Sequence, residues 1–258
     1  YLIGLLILGA VASFMITILS WILSGRSIKP AQKAWDQQQL FIANASHELR
    51  APLTLIRASA DYAIRAKKTG IKTKSLKDVM GEVDYMNHLV DDLLLLSRMD
   101  THRLKLDRQE IKLDSLFQEI TRQVELIARE RGVGLAISKS GNQIFGDPVR
   151  TRQVILSLID NALRFTPPGG NIELGGIRKD NMVDIYIRDN GPGIAPEYQA
   201  HVFERFYQVP GPELPGARNN GLGLSIARAL IEAQGGKIRI ESQPGHGTKV
   251  WITMPAKY

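Results

Sequence analysis

Cysteine is absent from all 258 residues. No disulfide scaffold and no thiolate metal site can exist, which fits a reducing compartment. Acidic side chains are in deficit: Asp plus Glu number 26 against 33 Lys plus Arg, a net charge of +7. The excess is too dispersed to choose between nucleic acid and an anionic membrane surface. No nucleic-acid motif accompanies it, so no nucleic-acid partner is expected. Hydrophobic residues at 44% and charged residues at 23% are ordinary for a folded chain. They exclude bulk disorder, collagen and coiled-coil-only architectures. The length allows one or two domains of roughly 150 residues.

Charge is missing altogether between residues 1 and 25, a stretch rich in Leu, Ile, Val, Ala and Phe. About 20 apolar residues suffice for a helix to cross the hydrocarbon core. A signal peptide would have a shorter apolar region with basic residues before it. Here Arg26, Lys29 and Lys33 come after, and Trp21 sits near the same end. That asymmetry predicts a transmembrane helix in the cell inner (plasma) membrane, with the downstream chain cytoplasmic. The chain opens on Tyr1 rather than Met, so further chain is expected upstream.

Pro30 closes a short link and suits the first turn of a new helix. From there Ile42, Ala45, Leu49, Leu53, Ile56, Ala60 and Ala63 recur at alternating spacings of three and four. That is the narrow seam of helix-on-helix packing. Pro52 is expected to kink the helix, and Gly70 to turn the chain. Leu76, Val79, Val83, Met86, Val90 and Leu93 form a second seam. Two seams joined by a short turn predict an antiparallel hairpin that pairs into a four-helix dimer. His47 lies about 200° around the helix from Leu49 and so points outward. Its neighbour Glu48 either accepts a proton from the imidazole or faces solvent. His88, His102, His201 and His246 lack such a setting.

Beyond Leu106 helices and strands mix. Three helices are expected over 113–132, 146–165 and 221–236, the first of them amphipathic. Asp114 and Asp147 are the expected caps of the first two, with Pro148 at the first position of the second. Strands are expected at "VGLAIS", "NIELGGI", "MVDIYIRD", "KIRIES" and "TKVWITMP". Consecutive hairpin-like strands argue for an α+β two-layer sandwich with helices on one face rather than a doubly wound sheet. The chemistry lies in the breaks. Asn161 is an amide inside an apolar helical stretch, suited to hydrogen-bonding a loop or to holding Mg²⁺. "DNGPGI" follows a strand, and its Asp189 can accept from an exocyclic amine. "NNGLGLSIA" places Gly221 and Gly223 before a helix, where free N–H groups face any anion. "GHGT" is another glycine turn. "VPGPELPGARNN" is rich in Pro, Gly and Asn and reads as a mobile lid.

In this order, after "SHELRAPLT" (46–54), these segments resemble a sensor histidine kinase of the two-component signalling systems. "SHELRAPLT" resembles the H box and "DPVRTRQVILSLIDNALRFTPPGG" the N box with its lead-in. "DNGPGI", "FERFYQ", "NNGLGLSIA" and "GHGT" resemble the G1, F, G2 and G3 boxes. The resemblance implies four parts: a transmembrane helix (1–25), a short juxtamembrane linker (26–36), a dimerisation and histidine-phosphotransfer hairpin (37–103), and a catalytic ATP-binding domain (104–258). It makes His47 the phosphoacceptor and Glu48 its base. Asn161 would hold Mg²⁺, Arg164 would stand where a phosphate-contacting Lys is usual, and Phe165 would line the nucleotide. Asp189 would bind the adenine amino group in a pocket shaped by Gly191, Gly193 and Ile194. Arg205 would approach the phosphates, and Gly221, Leu222, Gly223 and Leu224 would carry the phosphate-facing turn. Thr248 would close the adenine side. The implied cofactors are ATP and Mg²⁺. The implied partners are a second copy of the chain, a response regulator receiver domain and the lipid bilayer.

Four departures stand out. Ala51 occupies the position, four after His47, where the family's phosphatase motif has Thr or Asn. Ser157 replaces the first Asn of the N box. Asn219 stands where G2 often begins with Gly. The stretch from Gly25 to about Gln37 is too short for the usual relay domain, so a signal has to pass nearly directly from helix to helix. Two other readings compete. One is a different ATPase of the same nucleotide fold, as in heat-shock chaperones or gyrase, which lacks the "HELR" hairpin. The other is a catalytically weak membrane-anchored nucleotide-sensing scaffold.

Overall fold

The computed structural model describes residues 1–66, 68–101, 104–138, 140–210 and 220–256, with only the backbone at 21–31, 33, 34 and 37. The chain divides into two compact units, Tyr1–Glu82 and Val83–Tyr258.

The first unit is helical. Helix α1 spans Leu2–Arg65, and α2 begins at Thr69 and runs to Asp100, so its second half belongs to the other unit. The apolar end of α1, Leu2–Ser20, has a mean hydropathy of 2.6 and is long enough to cross a membrane. Two expectations are corrected here. No break marks the expected linker at 26–36, because α1 runs through Pro30 and Pro52. Each proline forfeits one ladder bond at a local cost of about 3 kcal/mol, and helix on both sides carries the backbone through cooperatively. The chain leaves the helix at Ala66, whose ψ of 129° is extended. Gly70 instead lies in the first turn of α2.

Near the turn, Ala58, Ser59 and Tyr62 of α1 line a groove with Ile71, Ser75 and Asp78 of α2. The seams are only half buried in the single chain. Pro52, Ala63 and Ser75 are buried, whereas Ile42, Leu53, Leu76 and Met80 are exposed. A helix stripe exceeding a third of the circumference needs more than one neighbour to cover it.

The second unit adds strands β1 (Gln109–Lys112), β2 (Gly134–Ser138), β3 (Gln143–Gly146), β4 (Asn171–Lys179), β5 (Met182–Asp189), β6 (Lys237–Gln243) and β7 (Gly247–Pro255). Helices α3 (Leu113–Glu130), α4 (Pro148–Phe165), the single turn α5 (Pro196–Gln199) and α6 (Gly223–Ala233) lie between them. The main sheet has the order β2-β4-β5-β7-β6. β2 pairs parallel with β4, and every other neighbour is antiparallel. Alternation sends Val183, Ile185, Ile187, Val250, Ile252 and Met254 to the helix side, all buried. Phe117, Ile120, Ile155, Ile159 and Leu230 meet them from the helices. Tyr186 and Trp251 pair across the opposite face under the Lys249 ammonium, which lies 4.0 and 3.9 Å from their rings. The two-layer sandwich is therefore as expected.

The short strands β1 and β3 were not expected. They pair antiparallel away from the main sheet. Asp114 is not a cap either: Lys112 holds that position, with no side-chain bond. The Asp114 carboxylate instead accepts from the Ser140 and Gly141 amides, both at 3.0 Å, tying α3 to the β2–β3 loop. Asp147 does cap α4, accepting from Arg150 N at 3.0 Å, with Pro148 next to it.

Candidate functional site

One buried side chain sets the two helices that frame the site. Gln234, at the end of α6, accepts from Asp147 N at 2.7 Å and from the Thr151 hydroxyl at 3.3 Å. Its own amide donates to Leu230 O. The start of α4 is thereby fixed to the end of α6. The opposite ends also meet, because a Cβ on Gly223 would lie 3.0 Å from Ser157 Oγ and 3.8 Å from Asn161 Nδ2. Asn161 therefore faces the first turn of α6. Sequence reading missed Gln234; a lone Gln at a helix end carries no distinctive pattern.

The expected adenine side assembles around Asp189. Its Oδ1 accepts from Gly191 N at 2.8 Å and Thr248 N at 3.2 Å. That leaves Oδ2 without a protein partner among the described residues and able to accept from an amine. Burial pushes the Asp189 carboxyl above the usual carboxylate range, opposed by the Gly191 and Thr248 amides. Ser242 Oγ accepts from Ile194 N at 2.8 Å and donates to Gly247 O at 2.9 Å. Its single proton being used there, the Thr248 hydroxyl, 2.9 Å away, donates to Ser242. The "DNGPGI" and "GHGT" turns also bond through Gly245 N to Pro192 O at 2.7 Å. Phe165 O approaches Gly191 from the end of α4. The Phe165 ring is 44% exposed, a free surface for stacking.

Gly247 shows why these turns need glycine. Its φ is +86°, and a Cβ there would fall 2.0 Å from Asp189 O. Gly247→Ala is expected to destabilise the protein by more than about 1 kcal/mol, since both the backbone and the space forbid it. A thermal melt without nucleotide reads the loss directly.

The expected phosphate side is built from the turn before α6. Gly221 has φ +65°, and a Cβ would lie 2.5 Å from the Phe206 carbonyl carbon. Gly221 O accepts from Phe206 N at 2.9 Å, joining the two sides of the lid segment. Leu222 is fully buried, while Gly223 and Leu224 are partly open. Arg164 gives Nη2 to Asp160 at 3.1 Å; its Nη1 is buried with no partner among the described residues. Such an orphaned donor at a predicted phosphate contact suits an anion. Arg205 adjoins Phe206 but directs both Nη groups to Asp100, at 2.9 and 2.6 Å. Asn219 and most of the stretch expected to form a lid, residues 211–219 of 209–220, lie outside the described residues.

No cluster of three or more His, Asp or Glu able to hold a metal occurs among the described residues. A single amide, Asn161, facing the glycine turn before α6 fits Mg²⁺, which is commonly held by few protein ligands together with substrate phosphates and water. A cleft of about 300 Å³ backs Asp189 and Thr248 and is lined by Arg188, His246 and Lys249. It takes in Asp189 and Thr248 themselves and reaches neither Asn161 nor the 221–224 turn.

On α1, in the other unit, His47 is exposed and Glu48 half-buried. Ser46 Oγ donates back to Ile42 O at 2.8 Å. The outward bearing read from the helical period is borne out.

An exposed helical histidine in one unit and glycine turns around the Asp189 carboxylate in an α+β sandwich fit a protein of the phosphotransfer class. Comparison with known proteins agrees. Residues 37–102 match the His Kinase A (phospho-acceptor) domain, and residues 146–258 match the histidine kinase-, DNA gyrase B-, and HSP90-like ATPase family. The chain is 31% identical over 250 residues to the sensor histidine kinase RppB of Synechocystis, covering 95% of this chain and 55% of that protein. It thus spans about half the length of that relative. Histidine kinase AdeS of Acinetobacter baumannii shares the fold, with a TM-score of 0.69 at 24% identity over 82% of this chain and 98% of that one. Full-length ShkA, solved with AMPPNP, superposes with a TM-score of 0.64 at 27% identity, covering 83% of this chain and 45% of that one. The chain belongs to the sensor histidine kinases. The phospho-acceptor match separates it from gyrase-like and HSP90-like relatives of the ATP-binding fold. Residues 103–145, which hold β1, α3, β2 and most of β3, lie between the two matches.

Proposed function

We propose that the chain is the catalytic core of a membrane-anchored sensor histidine kinase that phosphorylates His47 with ATP and passes the phosphoryl group to an Asp of a response regulator. The observation that carries this reading is the pairing, in one chain, of an outward His47 beside Glu48 with a unit in which glycine turns surround the Asp189 carboxylate and Asn161 faces the turn before α6. Asp189 Oδ2 accepts from the adenine amine, and Phe165 and Ile194 flank the ring. Arg164, Arg205 and the amides of 221–224 hold the phosphates. Asn161 would hold Mg²⁺, which when bound would supply charge neutralisation for the transfer.

A nitrogen lone pair of neutral His47 attacks the γ-phosphorus in line. The N–P bond forms as the bond from the γ-phosphorus to the bridging oxygen breaks, and that electron pair leaves on ADP. The proton on the other ring nitrogen goes to Glu48. Positioning and charge do most of the work, because phosphoryl transfer needs little covalent help. The exposed stripe of Ile42, Leu53, Leu76 and Met80 supports a homodimeric four-helix bundle, whose outer surface docks the receiver domain. The 19-residue apolar end of α1 supports anchoring in the bilayer, with the catalytic part in the cytoplasm. The test is incubation with γ-labelled ATP: acid-labile, base-stable label on the protein supports the reading, and no label refutes it.

A side chain four residues after His47 shares its helix face. Ala51 offers neither hydroxyl nor amide there to position a water. Phosphatase activity toward the regulator is therefore expected to be weak, and Ala51→Thr is expected to raise it about tenfold or more, in line with the contribution of a positioned polar group. Loss of phosphate from the phosphorylated regulator, followed with each protein, measures this. Rapid dephosphorylation by the unaltered protein would contradict it.

A further inference from the structure

Two acidic side chains of α2 lie against Arg205 and Asn220, beside the glycine turn before α6, and neither has a part in the reading above. Asp92 and Asp100 are eight residues apart, about 12 Å along the helix. They continue the spacing that buries Leu89 and Leu96. This half of α2 belongs to the same compact unit as the sheet. Asp100 takes both prongs of Arg205, Nη1 donating to Oδ2 at 2.9 Å and Nη2 to Oδ1 at 2.6 Å. Asp92 accepts from Asn220 Nδ2 at 3.4 Å. Asn220 Oδ1 in turn accepts from Leu222 N at 3.0 Å.

The Arg205 guanidinium and the Asn220 side-chain amide are therefore both engaged from the α2 side, and Asn220 itself holds Leu222 N. A triphosphate would ask for the same donors. A carboxylate meets a guanidinium with the two-pronged geometry that a phosphate uses, and an N–H at the start of a helix is a ready anion donor. We infer that Asp100 acts as an internal anion that competes with the nucleotide's phosphates for Arg205, while Asp92 holds Asn220 where its amide oxygen occupies Leu222 N. This rests on the reading of 221–224 and Arg205 as phosphate contacts. Binding of nucleotide then loosens this half of α2 from Arg205 and Asn220, and holding α2 in place weakens the nucleotide by the same factor. The device ties the state of the phosphotransfer hairpin to occupancy of the site without any further domain.

The test is a calorimetric titration of the full chain, in detergent, with AMPPNP and Mg²⁺. Asp100→Asn is expected to bind about two- to fivefold tighter than the unaltered protein, the range for releasing an exposed ion pair. Asp92→Asn should act in the same direction, and Asp100→Glu should resemble the unaltered protein. Asp100→Ala serves as a second variant, because the Asn amide oxygen could still engage Arg205. In the labelling assay the KM for ATP should fall by the same factor with kcat unchanged. Binding that is equal or weaker in both Asp100→Asn and Asp100→Ala overturns this inference alone. Failure of the unaltered protein to bind AMPPNP overturns the nucleotide reading, and this inference with it.

Discussion

His47→Gln is expected to abolish incorporation of label from γ-labelled ATP, to below a thousandth of the unaltered rate, while leaving AMPPNP binding within a factor of two. Gln keeps a polar side chain of similar reach but has no imidazole lone pair able to form a bond to phosphorus. Positioning and electrostatics account for most catalysis of phosphoryl transfer, yet they act on a nucleophile that must be present. The position is exposed on α1, so the substitution empties no core and should leave the melting temperature unchanged. Residual labelling that is acid-labile would mean that another histidine is the acceptor. His88 is the first to examine, although its Nδ1 is engaged with Asp84 O at 2.8 Å.

The second large effect belongs to Asp189. Asp189→Asn is expected to weaken AMPPNP about 10- to 100-fold, the range for a hydrogen bond to a charged group. The amide oxygen can still accept from Gly191 and Thr248, so the turn is kept. The amide nitrogen then faces the adenine amine donor to donor. The pH dependence separates this from a loss of fold. Burial raises the Asp189 carboxyl. In the unaltered protein, adenine-nucleotide affinity should fall as the pH drops through that raised value, because the protonated group no longer accepts as a carboxylate. The Asn variant should lack this limb. For stability the sign is opposite. A carboxyl whose folded pKa lies above its unfolded value stabilises only at low pH, and that contribution is lost as the pH rises through the folded value. At neutral pH without nucleotide, Asp189→Asn should therefore melt no lower than the unaltered protein. A lower melting temperature together with lost binding would instead make Asp189 a structural residue.

Local signals carried most of the architecture. The period-two strands of the sheet, the Asp147–Pro148 start of α4 and the outward bearing of His47 each depend on near neighbours in the chain, and each is found in the structure. Misses came where contacts are distant or elements short. Four residues in β1 and four in β3 leave too few alternations to register a period. Asp114 has the chemistry of a cap, but its partners sit 26 and 27 residues away. Gln234 and Asn220 hold the site through bonds spanning 87 and 128 residues. Pro30 misled because a proline can open a helix or be carried inside one, and only the flanking turns decide.

Helix α1 has no joint between its apolar end and position 47. From Ser20 to His47 the backbone climbs about 40 Å as a single shaft. One continuous helical backbone joins the outer end to the imidazole, so a change in chain length is carried along it. Each residue gained or lost along the way is expected to swing His47 by about 100° about the axis, so the length of this stretch matters to the bearing of that side chain independently of its composition.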